Sequence, residues 1–177
     1  MTALPPTDRQ APTVPAPALR RLAAIVYDFL LLAGVLLIAE LVPFSIALGV
    51  YGADAFADGR NPLVGNPLNE SWLLLASFAF FAGFWVHGGQ TLGLRTWKLR
   101  VQLPGGMPIG WWHALLRFLW GGLWLVPVVY LHKVLGAGVG LSIAVGFACL
   151  SAAVVSRLHD RLSGTEVVRL LPAAKAK

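Results

Sequence analysis

At 177 residues, with 57% apolar residues, 12% charged and a mean hydropathy of +0.71, the chain is too apolar for a soluble domain of its size and reads as one polytopic membrane domain. The formal charge of +6 would suit nucleic acid, but the basic residues lie where membrane orientation puts them, so no nucleic-acid partner is expected. Cys149 is the only cysteine, which excludes an intrachain disulfide and gives no sign of an oxidising compartment.

Residues 1–17 contain five prolines and little that could pack, so they are predicted to form a disordered cytoplasmic tail. The apolar run that follows is longer than the ~7–15 residues of a signal-peptide core, and no cleavage is expected. Arg20 and Arg21 open this first span, 20–42, in which residues 22–39 carry a single charge, Asp28. The length suits a hydrocarbon core that asks for roughly 20 apolar residues. Arg21 and Asp28 share one helix face, about 10 Å apart along the axis. An aspartate near the bilayer centre costs roughly 2.5–3.5 kcal/mol. Asp28 is therefore predicted to point into the bundle, within reach of Arg21, Arg117 or Asp160. Glu40 and Pro43 mark the far end of the span.

Glycines and prolines recur through 44–70, together with Asp54, Asp58, Arg60 and Glu70, and predict a loop into which the first helix extends by about a turn. Asn69, Glu70 and Ser71 supply helix-start chemistry for a second span, 71–87, whose residues 72–86 are uncharged. Trp72 and Trp85 stand near its two ends, as interfacial rings do. From His87 to Gly110 the chain is polar, basic and broken by glycine and proline. Within it, residues 96–103 alternate, with Lys98, Arg100 and Gln102 opposite Trp97, Leu99, Val101 and Leu103. A lone strand is unstable, and the other β-branched stretch, 165–171, is the predicted antiparallel partner in a small cytoplasmic two-stranded pair.

The third span, 112–131, carries Arg117 about one turn inside and a kinking Pro127. His132 and Lys133 close a short turn before the fourth span, 136–156. There Gly138, Ser142 and Gly146, and separately Ala144, Ala148 and Ala152, allow close helix packing. The membrane domain thus runs over 18–171, with a basic tail at 172–177. With both termini and the loop after span two on one side, that side holds Arg9, Arg20, Arg21, Arg95, Lys98, Arg100, Arg117, Arg157, Arg161, Arg169, Lys175 and Lys177. Only Arg60 and Lys133 lie opposite, and twelve against two predicts an all-α four-span protein with both termini cytoplasmic.

On this topology Arg21, Asp28, Arg117 and Asp160 all fall toward the cytoplasmic half and form a candidate charge network, in which Arg117 and Asp160 neutralise Asp28 and Arg21. The network reads either as an orienting set of ion pairs or as a transport site. Together with the turn residues Gln90, Thr91, Gly93, Gly164 and Thr165, these positions resemble the RDD family, named for an arginine and two aspartates. The resembling pattern is Arg21 with Asp28, then Gln90-Thr91-Leu92-Gly93-Leu94-Arg95, then Arg117, then Leu158-His159-Asp160 with Gly164-Thr165. Leu94 departs from it, since many members carry lysine there. The resemblance implies a multi-pass bacterial inner-membrane protein, in a family of mostly unassigned function with some members proposed as ion or small-solute transporters.

His87, His113, His132 and His159 are scattered, no phosphate-cradling loop is present, and the serines and threonines lack a nucleophile signature. Neither enzymatic activity nor a metal or cofactor is expected. Two readings follow. One is a transporter subunit using Asp28 for a cation or proton, a homo-oligomer because four short helices enclose little space. The other is a non-transporting scaffold whose basic cytoplasmic face binds a partner protein or anionic lipid.

Overall fold

The computed structural model describes residues 13–59 and 61–171. Residues 1–12 of the predicted tail at 1–17, and the predicted tail at 172–177, lie outside them. Strand β1 (Thr13–Pro15) leads into α1 (Ala18–Tyr51), and after a 3-10 segment α2 (Pro67–Gly88) and the single turn α3 (Leu92–Thr96) follow. Next come β2 (Leu99–Gln102), α4 (Trp111–Gly122), α5 (Leu125–Val129), α6 (Val139–Val155), α7 (Leu158–Ser163) and β3 (Glu166–Leu170).

Among the described residues, three helical stretches are long and apolar enough to cross a membrane: 18–51, 67–88 and 111–134. The predicted fourth span is represented by α6, an apolar helix of 17 residues, about 25 Å long and so a few ångströms short of a typical hydrocarbon core. Leu30, Leu37 and Ile38 of α1, Leu74 and Leu75 of α2, and Leu141, Ile143 and Phe147 of α6 are exposed. Apolar faces this extensive are lipid-facing surfaces rather than features of a water-soluble monomer.

Helix α1 runs past Pro43 to Tyr51, further than the single extra turn that the sequence pattern predicted. Proline lacks an N–H and leaves the carbonyl four residues back without its helical donor. That carbonyl is Ala39, and the indole Nε1 of Trp72 donates to it at 2.9 Å, so the first helix continues to Tyr51. Helix α2 starts earlier than predicted, because Asn66 caps it by accepting from the Leu68 N–H at 2.9 Å and Pro67 fits the first turn. The third span is broken as Pro127 requires. The Val126 N–H bonds back to Leu123 at 3.2 Å with the tighter three-residue spacing, and the chain past Tyr130 widens, with Leu135 bonding back to Tyr130.

Beyond one end of the bundle lies an antiparallel sheet of order β1-β3-β2. The predicted pairing of the 96–103 and 165–171 stretches occurs, in the register Leu99 to Arg169 and Gln102 to Glu166. It differs from expectation in two ways. Thr96 ends α3, and Trp97 and Lys98 form the turn after it, so the strand begins only at Leu99. The sheet also has a third strand, since Val14 pairs with Arg169 and Pro15 with Val168, so residues 13–15 of the predicted disordered tail are ordered. Pro15 sits on an edge strand, where a missing N–H is tolerated.

The densest core lies where this sheet meets the bundle. Ala16, Ala24, Ala82, Leu94, Leu99, Val101, Ile109, Ala114 and Val167 are buried together there, with Trp85 and Trp97 packed against them. Ser142 and Gly146 of the small-residue stripe are buried, and Gly146 faces Val128 and Trp124 where α6 packs on α5. This is close helix packing, as the spacing predicted for that face, whereas Ala144, Ala148 and Ala152 of the second predicted face are exposed.

Candidate functional site

Three of the four predicted network residues meet at the sheet end of the bundle. Arg21 comes from the first turn of α1, Arg117 from the middle of α4, and Asp160 from α7, a short helix that Arg157 breaks away from α6 by taking a left-handed conformation at φ 54°. All three are buried. One oxygen of Asp160 accepts from Arg21 Nη2, and the other accepts from Arg117 Nη1 at 2.6 Å. Each guanidinium then secures a second element. Arg21 Nη1 donates to the Val154 carbonyl at 3.0 Å, a second donor to a C-terminal carbonyl of α6 that also accepts from the Arg157 N–H, and Arg117 Nη1 donates to Thr165 Oγ1 at 2.7 Å.

The hydroxyls continue this chain. Ser163 Oγ donates to the His159 carbonyl at 2.6 Å, and Thr165 Oγ1 lies 2.8 Å from Ser163 Oγ. Gly164, in the left-handed region at φ 65°, ends α7 so that Thr165 can turn back toward it. Two guanidiniums against one carboxylate leave an excess positive charge. The face of Trp85, 5.4 Å from Arg117 Cζ, partly offsets it.

His159 and Asp160 respond oppositely to this field. Burial pushes the Asp160 carboxyl up, but Arg117 and Arg21 together outweigh burial and hold it below the usual carboxylate range. Burial, reinforced by Arg117, pushes the His159 imidazole down to about 4. It is therefore neutral at pH 7, and its 3.6 Å approach to Asp160 is not an ion pair. Arginine has no acceptor, so Arg21 Nη2 donates to His159 Nε2 at 3.3 Å and the imidazole proton sits on Nδ1.

Asp28 is buried as predicted but does not join this cluster. Its Oδ2 accepts from Thr91 Oγ1 at 2.5 Å and its Oδ1 from the Gly93 N–H at 2.9 Å, so the carboxylate caps the start of α3. Thr91 also accepts from the Leu94 N–H at 3.2 Å. The expected guanidinium partner is replaced by a hydroxyl and a backbone donor, which suit an anion equally well without a second charge. A Cβ on Gly93 would lie 2.7 Å from Asp28 Oδ1 and against the Ala24 carbonyl, so Gly93 is what lets α3 touch α1. Gln90 Nε2 donates to the Leu99 carbonyl at 2.6 Å, and the Val101 N–H to the Gly89 carbonyl at 2.7 Å. These bonds fasten the 89–93 turn to β2.

The predicted residues therefore form two hydrogen-bonded knots, one joining α1, α4, α6 and α7 and one joining α1 to α3. Ser163 and Trp85 also take part, though only their nearness to Thr165 and to the end of the second span hinted at it. No curated protein and no solved structure matches the chain. A family model, described as the RDD family, matches residues 15–164, from the last residue of the edge strand through α7, and takes in every residue of both knots except Thr165. The chain is an integral membrane protein that belongs to the RDD family.

Proposed function

We propose that this protein is a non-enzymatic, non-transporting scaffold of the bacterial inner membrane, with four spans, both termini in the cytoplasm, and a basic sheet end that holds anionic lipid headgroups. The topology draws support from how the chain ends meet. β1 pairs with β3, and Arg21 at the start of α1 bonds to Val154 at the end of α6, which favours an even number of crossings between them. With three long apolar stretches, α6 is the fourth crossing in this reading, and the basic excess favours the cytoplasm for the sheet. Reporter fusions test this: one after Arg60 is expected to read periplasmic and one after Arg100 cytoplasmic. The opposite reading at either position rejects four spans.

The observation that carries the scaffold reading is the state of the carboxylates. Both oxygens of Asp28 and both of Asp160 are engaged by protein donors, which gives these groups structural work and removes the motive for a cation pathway through Asp28. Around the same end, Arg95, Lys98, Arg157 and Arg161 are exposed, at about 1 kcal/mol of attraction each to an anionic leaflet. In nanodiscs, phosphatidylglycerol is expected to raise the thermal midpoint relative to phosphatidylcholine. A variant with all four residues changed to glutamine should lose that difference. An equal midpoint in both lipids for the unaltered protein rejects the headgroup reading. Proteoliposome flux of sodium, potassium or protons that Asp28→Asn abolishes would establish transport in its place.

A further inference from the structure

Between α1 and the packed pair α5 and α6 lies a groove of about 500 Å³, within the ~300–1,000 Å³ range of ligand sites. Every residue that lines it is apolar, and it opens where Val26, Ile143 and Phe147 are exposed on the lipid-facing surface. Its back is closed because Gly146 lets α6 rest on Val128 and Trp124. Its deep end is closed by Phe29 and Trp124, whose rings meet edge to face at 5.8 Å. From Leu19 to Phe29 the groove follows ten residues of α1, about 15 Å at a rise of 1.5 Å each. That is the depth of one leaflet, half of a hydrocarbon core of about 30 Å.

The groove starts at the sheet end, where Arg21 and the Arg157 N–H share the Val154 carbonyl. Arg157 is exposed there, and Arg20, next to Leu19, is half-buried. The two walls are held together at both ends, by Arg21 on Val154 and by Phe29 on Trp124, so a helix about 10–12 Å across cannot lie between them. A single hydrocarbon chain can. We propose that the groove seats one acyl chain of an anionic phospholipid from the leaflet beside the sheet, with its phosphate held at the mouth by Arg157 and Arg20. The apolar lining matches the chain, and the two cations match the headgroup. This seat depends on the headgroup reading and adds to it that one lipid is held at a defined place, apart from the lipid that merely surrounds the bundle.

The test places the full chain in nanodiscs of phosphatidylglycerol and phosphatidylcholine, with a trace of phosphatidylglycerol that carries a photoreactive diazirine near the end of one acyl chain. Peptide mapping after illumination is expected to find Phe29, Trp124 and Ile143 labelled about tenfold above Leu30, which is exposed at the same depth but outside the groove. The same diazirine on phosphatidylcholine should label the groove about tenfold less. Ala23→Phe, which fills the middle of the groove, should abolish the excess there and keep the higher thermal midpoint in phosphatidylglycerol. Labelling of the unaltered chain decides the matter even where Ala23→Phe fails to fold. Label spread evenly over Leu30 and the groove overturns the proposal, as does equal labelling by the two lipids. An intermolecular disulfide formed by Ile143→Cys in a Cys149→Ala chain also overturns it, by making a second copy the occupant. Scattered label with unequal midpoints in the two lipids rejects the seat alone, whereas equal midpoints reject the headgroup reading and the seat with it.

Discussion

Asp160→Asn is expected to be the most damaging single substitution in the chain, at about 3–5 kcal/mol, because it leaves two buried guanidiniums without their shared counter-charge. The side chain keeps its size, so the loss is electrostatic rather than steric. Adding Arg21→Met to Asp160→Asn should recover part of the stability by removing one stranded charge, even though Arg21→Met alone is harmful. The measurement is the thermal midpoint and membrane abundance of the two single variants and the double. A loss under about 1 kcal/mol for Asp160→Asn, or strict additivity in the double variant, would show that the triad does not hold the helices together.

The same cluster sets the direction of the pH response. His159 in the folded protein titrates at about 4, below its ordinary value of 6.5, so between those limits the unfolded chain binds more protons than the folded one. Stability from this group is complete above pH 6.5 and falls as the pH drops toward 4, by an amount on the order of 3 kcal/mol. Asp160 acts in the same sense but at lower pH, since its folded value lies below its ordinary 3.8. His159→Gln should flatten the decline between pH 6.5 and 4 and leave the more acidic limb in place.

Which features were legible in the sequence follows from the length scale of each signal. The long helices were readable because lipid demands many consecutive apolar residues, and Arg21, Arg117 and Asp160 were readable because a buried charge needs an opposite one. Strands β2 and β3 were readable from alternation and from the absence of any other partner. Strand β1 was not, since three residues ending in a proline are too few to show alternation and are ordered only by the edge of β3. Helix α3 was hidden for a similar reason, five residues being too few to show a period, although Thr91 had the chemistry of a helix start. The extension of α1 beyond Pro43 depends on a donor from Trp72, which lies 33 residues from the carbonyl that receives it. For Asp28, a charge argument pointed to an arginine, and the local alternative of a helix start with free N–H groups was not visible without α3.

Gly93→Ala is expected to be nearly as damaging as the loss of Asp160, at about 3 kcal/mol, through a methyl group placed where two helices touch. The new Cβ would stand 2.7 Å from Asp28 Oδ1, a carboxylate oxygen held by its hydrogen bonds, and press on the Ala24 carbonyl, which is backbone. Relief requires α3 to lift from α1. That movement breaks the Gly93 N–H bond to Asp28 and weakens the one from Thr91, leaving a buried carboxylate short of donors. Because Gln90 and Gly89 fasten the same turn to β2, the sheet should loosen with it, and amide exchange of Leu99 and Val101 should speed up. Gly83→Ala is the matched control. Gly83 also lies in a helix, but a Cβ there meets nothing within 4 Å, so that change should be neutral or stabilising by up to about 1 kcal/mol. Asp28→Asn should fall between the two, since asparagine keeps one acceptor but turns an N–H toward a donor. Should Gly93→Ala match Gly83→Ala in thermal midpoint, α3 does not rest on α1 at this glycine, and the assignment of Asp28 as its cap goes with it.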